Sequence, residues 1–352
     1  MEVVTDRVLR HAVAENGDLV LPGRYRWFAR LRAGRLAPLT PVIELVEALN
    51  LPLAVIAGLR AGLAARAGGA DRILSALDGG FSNIAAALAA SIARRPRTVM
   101  VFDLWEENAY RAVELWLARR LERRVLRGAQ AVIVHCDEAA DHLRRKHGID
   151  SHVLPIPVVR QAVEPASPSH TGASEILVAG ALYWAQEDAV RRLLRAARGV
   201  PDAIVTILGD ESSLRARGLV ANRYEPPPPP AEFAERVALA DVLFLGLSHG
   251  SPNPDVIRTA TPARLVEYMA SGRPLLVHAP HGSHVAEYAR RHDFAAVVDV
   301  PDDDALTRGL REVLDDPARA AARAGRARRL ALERHDVGRV RCRLERLLDR
   351  LD

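Results

Sequence analysis

The stretch TATPARLVEYMASGRPLLVHAPHGSH, residues 259–284, decides the fold. Pro262, which follows a threonine, predicts the start of a helix, and Gly272 predicts its end. The aliphatic run PLLVHAP then predicts a buried strand, and the Gly-Ser pair after it predicts the start of another helix. A helix, a strand and a second helix in this order are typical of a parallel sheet with helical connections.

The same alternation runs through the chain from Arg72 onward. Because 352 residues exceed what one hydrophobic core usually serves, it predicts two Rossmann-like α/β domains in tandem. A stretch rich in Pro, Ser and Gly that lacks apolar periodicity predicts a linker between them. The predicted parts are an N-terminal domain (1–158), the linker (159–174), a C-terminal domain (175–335) and a C-terminal helix (336–352).

Charge and cysteine usage exclude some classes of protein. The net charge of +5 comes from 49 basic and 44 acidic residues that are spread through the chain, so nucleic acid is not indicated as a partner. Cys136 and Cys342 lie far apart, which excludes a disulfide framework and fits a reduced compartment.

Membrane and secretion signals are weak in the sequence. The N-terminus has no secretory pattern, and Arg60 interrupts the most apolar window, so we expect a cytoplasmic protein. The stretch WLARRLERRVLRG, from Trp116, predicts a basic helix. Its arginines allow either a solvated face or peripheral contact with the inner face of the membrane.

A candidate site follows from the opening stretch. Arg264 and Glu267 are three positions apart and share one side of the predicted helix. An ordinary solvent-facing pair is the simpler explanation, but ligands bind at the carboxyl ends of parallel strands, where the preceding long loop lies. The turn of His281, Gly282 and Ser283 opens the next helix, whose first amides and dipole favour phosphate. Together these features predict a diphosphate site.

Other candidates carry weaker signals. The first strand and turn of the second domain contain one glycine, Gly180, so a dinucleotide fingerprint is missing. His278, His281 and His284 recur every three residues, but they span a strand end, a turn and a helix start. We therefore expect their side chains to diverge and to bind no metal. Asp103 follows a strand of the first domain, and its position fits a loop charge as well as a catalytic group.

The chain resembles the retaining glycosyltransferases of the GT-B fold, in particular glycosyltransferase family 4. The resemblance rests on ADVLFLGLS, on TPARLVEYMASGRPLLVHAPHGS and on the arginine-rich helical tail. It implies an interdomain cleft and a C-terminal helix that returns to the first domain. It also implies transfer of a sugar, with retention, from a nucleoside diphosphate donor to a carbohydrate, lipid or small-molecule acceptor, with no metal or other cofactor.

The resemblance also implies roles for residues. Glu267 would contact the ribose of the donor, Arg264 would face the diphosphate, and the turn of residues 281–283 would lie by the phosphates. Arg258 would add positive charge against the departing diphosphate. Gly180, in the first turn of the donor domain, and Thr259 would also contact the donor. The catalytic candidates are then Arg264 and Asp103.

Several positions depart from the family pattern. Thr259 stands where the family has the first of two paired glutamates. Ala181 and Gln186 replace an arginine and a lysine, Phe102 replaces a histidine, and a glycine-rich loop is missing after MEVVTD. These departures leave open a catalytically silent homologue that acts as a binding or scaffold subunit. A sugar-nucleotide epimerase on the same fold is a third reading.

Overall fold

The computed structural model describes residues 50–77, 81–109, 112–158, 172–180 and 182–351. Its contacts divide the chain into two compact units: the first runs to Val134 and includes Leu143–His152, and the second contains His135–His142 and Val153 onward. The strand predicted in MEVVTD and residues 159–171 of the predicted linker lie outside the described residues. The predicted domain boundaries stay a prediction.

The first unit is built on a four-stranded sheet in the order β1-β2-β3-β4, in which β2 is parallel to both β1 and β3. The strands are β1 (Ile73–Leu77), β2 (Arg97–Val101), β3 (Ala131–Val134) and β4 (His152–Val153). The helices are α1 (Asn50–Ala67), α2 (Ser82–Ala93), α3 (Ala112–Arg127) and α4 (Asp137–His147), the last of which begins among residues of the second unit.

The second unit is built on a six-stranded parallel sheet in the order β10-β9-β8-β5-β6-β7. The strands are β5 (Ser174–Ala179), β6 (Ala203–Leu208), β7 (Arg223–Glu225), β8 (Val242–Gly246), β9 (Leu275–His278) and β10 (Ala296–Val298). Counted from β5, this is the strand order of Rossmann folds, in which the direction of winding reverses between the first and fourth strands. The switch point therefore lies between β5 and β8.

Helices cover both faces of this sheet. They are α5 (Trp184–Ala196), α6 (Glu211–Ala216), α7 (Phe233–Ala238), α8 (Pro254–Thr259), α9 (Ala263–Ser271), α10 (His284–His292), α11 (Asp303–Asp315) and α12 (Pro317–Leu330). Helix α13 (Val337–Asp349) follows as the last helix of the described residues. Tyr268 and Val285 belong to the apolar cluster on one face, and Leu193 and Leu310 belong to the cluster on the other. The prediction of two Rossmann-like α/β sheets is confirmed.

Local details differ from the expectations. Pro262 occupies the N-cap position of α9, so the helix itself begins at Ala263, and the predicted loop before it contains the short helix α8. The prolines and asparagine of that stretch resemble a loop in sequence, yet Pro254 occupies the first turn of α8, where its missing N–H costs nothing. None of the described helices is long and apolar enough to cross a membrane. The return of the C-terminal helix to the first domain stays a prediction.

Candidate functional site

The backbone of β5 loses one neighbour at the switch point. Its ladder with β6 continues to Ala179, whereas its ladder with β8 covers only Ile176 and Leu177. The hydroxyl of Tyr268, on α9, accepts from the Ala179 amide at 2.9 Å and donates to the Ala179 carbonyl at 3.3 Å. Burial raises the pKa of Tyr268, so the phenol keeps its proton and both bonds. Helix α9 is thus fixed to the carboxyl end of β5.

Arg264 lies directly over this strand end. Gly180 has φ +132°, a conformation that residues with a side chain rarely adopt, and a Cβ there would lie 3.6 Å from Cγ of Arg264. The guanidinium carbon of Arg264 lies 3.9 Å from the ring centre of Phe233, on α7, within the range of cation–π attraction. The structure therefore brings Gly180 and Arg264 together at the switch point.

Glu267 completes this group, because its carboxylate forms a short ion pair with Arg264 one turn earlier on α9. The Arg264 side chain is 36% exposed and that of Glu267 is 33% exposed, so water reaches both. A partly hydrated guanidinium supplies donors for phosphate oxygens, and a partly hydrated carboxylate supplies acceptors for hydroxyl groups.

The turn before α10 is shaped by its own polar groups. Ser283 is buried and its hydroxyl donates to the Pro280 carbonyl at 2.6 Å, while Gly282, with φ +73°, donates its amide to Glu287 Oε1 at 3.2 Å. The first amides of a helix have no acceptor within the helix, and in the described part of the chain the Ser283 hydroxyl does not cap those of α10. This helix start can therefore accept an anion.

Charges of both signs surround that turn. His281, which is 80% exposed, lies 2.8 Å from Asp299 Oδ2 through its Nδ1, and Arg290 forms an ion pair with the same carboxylate. Burial pushes the pKa of Asp299 upward, but Arg290 and His281 outweigh burial and hold this pKa below its usual value. Because Glu287 and Asp299 offset the nearby cations, the helix amides remain the main attraction for an anion here.

Arg258 and Thr259 lie at the end of α8, and both bind to Asp255 near its start. Arg258 donates to Asp255 Oδ1 at 2.9 Å and to His142 Nδ1 at 3.1 Å. The Thr259 hydroxyl is bound to the carbonyl of Asp255, one turn earlier in the same helix, at 2.8 Å, and the residue is buried. The predicted donor roles of Arg258 and Thr259 stay predictions.

Asp103 belongs to the first unit, where it lies exposed just after β2. The loop that follows is anchored by buried Glu122, which accepts from the Trp105 amide at 3.0 Å. Lys146 lies 3.2 Å from Glu122 and also pairs with two glutamates of the loop, Glu106 and Glu107. Burial disfavours the charge on Lys146, but these carboxylates outweigh it and raise its pKa. The catalytic role of Asp103 stays a prediction.

The histidines that recur every three residues have three different partners. His278, fully buried, donates from Nδ1 to the Val298 carbonyl at 2.9 Å, His281 contacts Asp299, and His284 Nδ1 lies 2.7 Å from Glu138 Oε2.

Sequence reasoning missed Phe233 and the hydroxyl of Tyr268 as parts of the site. The four-residue spacing of Tyr268 from Arg264 was a usable signal for the second, whereas Phe233 carried none.

Two family models match the two halves of the chain. Residues 2–159 match the glycosyl transferase 4-like domain, and residues 186–349 match a family described as glycosyl transferase-like. No curated protein matches the chain by sequence.

Solved structures are similar in fold. HepE of Anabaena in complex with UDP-glucose has 16% identity and a TM-score of 0.65, over 83% of this chain and 81% of that one. Sucrose-phosphate synthase of Thermosynechococcus elongatus has 15% identity and a TM-score of 0.61, over 80% and 74%. The UDP-forming α,α-trehalose-phosphate synthase of Burkholderia xenovorans has 14% identity and a TM-score of 0.57, over 79% and 74%. At these identities the likeness establishes the fold alone.

Proposed function

We propose that this chain, a glycosyltransferase of the GT-B fold with GT4-like domains, transfers a hexosyl group from a nucleoside diphosphate donor to an acceptor. The observation that supports the proposal most is the placement of Arg264 beside Gly180 at the switch point of the second sheet. Ligands of open parallel sheets bind in the crevice outside the carboxyl ends of the strands at this point.

Each group of the site has a place in the proposed reaction. Arg264 donates to the diphosphate and stabilises the negative charge that develops as the nucleoside diphosphate leaves. Glu267 accepts hydrogen bonds from the ribose hydroxyls. The turn of residues 281–283 and the first amides of α10 hold phosphate oxygens. We also assign Arg258 to this charge stabilisation, Thr259 and Gly180 to donor contact, and Asp103 to catalysis on the acceptor side.

The ion pair between Arg264 and Glu267 is compatible with donor binding. Because both side chains are about one-third exposed, the pair adds little stability, and opening it costs at most about 1 kcal/mol. A diphosphate can then replace the carboxylate on the guanidinium, which frees the oxygens of Glu267 for the ribose.

Other parts of the proposal rest on the family resemblance and on the neighbours. Retention of configuration, transfer without a metal ion or other cofactor, and a carbohydrate, lipid or small-molecule acceptor follow from the resemblance. The complex of HepE with UDP-glucose supports a uridine diphosphate sugar as the first donor to test. The anomeric configuration of the product, read by NMR, tests retention.

We further propose a cytoplasmic protein that touches the membrane surface peripherally through α3. Trp116 on this helix is 56% exposed, and the guanidinium carbon of Arg120 lies 5.3 Å from its ring centre. An exposed tryptophan beside arginines suits an anionic lipid interface. Pelleting with anionic vesicles at low and high salt tests this contact, with Trp116→Ala as the variant.

The proposed donor site is tested by calorimetric titration with UDP-glucose, UDP-N-acetylglucosamine and GDP-mannose. We expect one of these probes to bind, and Arg264→Ala to weaken its affinity about 10- to 100-fold, as for a hydrogen bond to a charged group. Arg191→Ala is the matched control, since Arg191 is 41% exposed and pairs with Glu187 within α5, away from α9. Equal affinity in the Arg264→Ala variant and the wild type contradicts the proposal.

A second candidate, a subunit that binds the donor without turnover, is favoured by specific contacts. The Thr259 hydroxyl is bound within its own helix where the family has a glutamate. Gln186, where the family has a lysine, accepts from the Tyr183 amide at 3.4 Å as part of the cap of α5. Release of free nucleoside diphosphate from the bound donor, with or without an acceptor, supports the enzyme, and binding without release supports the subunit.

A further inference from the structure

Three ligand-bearing side chains meet at the start of α10. Cys136, Glu138 and His284 each offer a ligand atom, and these atoms lie within 4.8 Å of one another. All three residues belong to the second unit, although 146 positions separate Glu138 from His284. The cluster is sheltered from water: Cys136 is 2% exposed, and the side chains of His284 and Glu138 are 13% and 17% exposed.

We propose that Cys136, Glu138 and His284 form a binding site for a zinc ion. A thiolate, an imidazole and a carboxylate are ligands of tetrahedral zinc, and three protein ligands leave a fourth position open. With bonds of roughly 2.0–2.3 Å, the ligand atoms of such a site lie roughly 3.3–3.7 Å apart, so small side-chain movements suffice. The presence of a sulfur ligand disfavours magnesium and calcium, which prefer oxygen.

The surroundings of the cluster support this assignment. The His284 ring stacks on Tyr288, with ring centres 5.3 Å apart and planes 19° from parallel, which fixes the direction of its nitrogens. The Cys136 thiol donates weakly to the Thr259 carbonyl at 3.4 Å, a bond that is lost when the thiol gives up its proton to bind metal. His284 Nδ1 and Glu138 Oε2 lie 2.7 Å apart, and a metal ion bound by both atoms would replace this contact.

A zinc ion at this position would stabilise the start of α10. His284 is the first residue of α10 and directly follows the turn of residues 281–283, while Glu138 lies in the first turn of α4. A bound ion would join these two helix starts and would restrict the turn. This role does not rest on the proposed sugar transfer, for which we propose no metal.

The test uses the full chain, stripped of metal with a chelator and titrated with cobalt(II) and with zinc. We expect one cobalt ion per chain with an absorption band from thiolate-to-cobalt charge transfer, and displacement of cobalt by zinc. Zinc should raise the melting temperature, because a ligand that binds the folded state stabilises it. Cys136→Ser should abolish the band, and Cys342→Ser, a change at the exposed second cysteine, should retain it.

Two further variants guard against misfolding of Cys136→Ser. Glu138→Gln and His284→Gln remove a partly exposed ligand each, and we expect both to weaken zinc binding at least 10-fold while circular dichroism stays unchanged. The proposal is overturned if the wild type shows no charge-transfer band. It is equally overturned if the band survives in Cys136→Ser or if zinc binds these variants as tightly as the wild type. A failed donor titration would leave this proposal untouched, because the readout here is metal binding.

Discussion

Arg236 and Arg264 lie on α7 and α9, which contribute to the same apolar cluster beneath the second sheet. Their surroundings differ. The guanidinium of Arg236 reaches both oxygens of Glu175 and both oxygens of Glu225, at 2.6–3.1 Å. Arg264 has a single carboxylate partner among the described residues, Glu267, and lies over a phenyl ring. Each nitrogen of the Arg236 guanidinium therefore has a carboxylate partner within the protein, while the Arg264 guanidinium keeps N–H donors for a ligand.

The two arginines also differ in how deeply they are buried. The Arg236 side chain is 15% exposed and that of Glu175 is 10% exposed, against about a third for the pair of Arg264 and Glu267. Burial disfavours the charge on Arg236, but Glu225 and Glu175 outweigh it and raise its pKa. A buried arginine with two carboxylate partners stabilises the fold. A partly exposed arginine at a strand end can exchange its single carboxylate partner for an anion.

The largest effect is expected for Arg236→Ala. This variant leaves Glu175 buried without its main partner, which typically costs about 3–5 kcal/mol of unfolding free energy. Arg264→Ala should cost less than about 1 kcal/mol, because its ion pair is exposed. Urea unfolding of both variants measures the difference. If both variants lost a similar amount of unfolding free energy, the distinction between a structural arginine and a functional one would be wrong.

Acidification should reduce the effect of Arg236→Ala. Burial alone would raise the pKa of Glu175, but its bonds to Arg236 and Thr206 outweigh burial and lower it. In the wild type, this depressed pKa contributes stability above the unfolded pKa of about 4.3, which is lost as pH falls through the folded pKa. In the variant burial dominates, so Glu175 takes up a proton at higher pH and the penalty for its buried charge disappears.

The gap in unfolding free energy between wild type and Arg236→Ala should therefore narrow as pH falls from 7 toward 4. Urea unfolding at several pH values, with Arg264→Ala as the control whose gap stays small throughout, checks this direction. A gap that stays constant or widens on acidification would show that Glu175 is not the group left unpaired.

A smaller effect is expected for Gly180→Ala. The φ of +132° disfavours alanine there, at a cost of about 1–3 kcal/mol. The added methyl group would lie 3.6 Å from Arg264, an ordinary contact, so the penalty comes from the backbone. Thermal unfolding and donor titration measure the result, and we expect both stability and donor affinity to fall. Gly250→Ala, with open space around the new methyl group, should change neither.

Much of this fold could be predicted from the sequence. The quoted stretch predicted α9, β9 and α10, because a glycine after a helix and an aliphatic run are local signals that depend little on the rest of the chain. The spacing of Arg264 and Glu267 placed them on one side of a helix for the same reason. The short helix α8 was missed because its prolines and asparagine also suit a loop.

The site required the tertiary structure. Strand order is set by long-range pairing, so the sequence could not show that β5 lies beside β8 and that Arg264 therefore lies over Gly180. The spacing of His278, His281 and His284 predicted divergent side chains, and their partners do differ. Spacing could not reveal that His284 meets Cys136 and Glu138, because those residues are distant in sequence.

The sequence by itself determined the alternation of strands and helices and the match of each half of the chain to a glycosyltransferase family model, since both are carried by local patterns and by residue identity. The tertiary structure decided which arginine is saturated and which keeps donors for a ligand. That distinction depends on how many carboxylates from other strands and helices reach each guanidinium, and only the folded sheet brings them within hydrogen-bond distance.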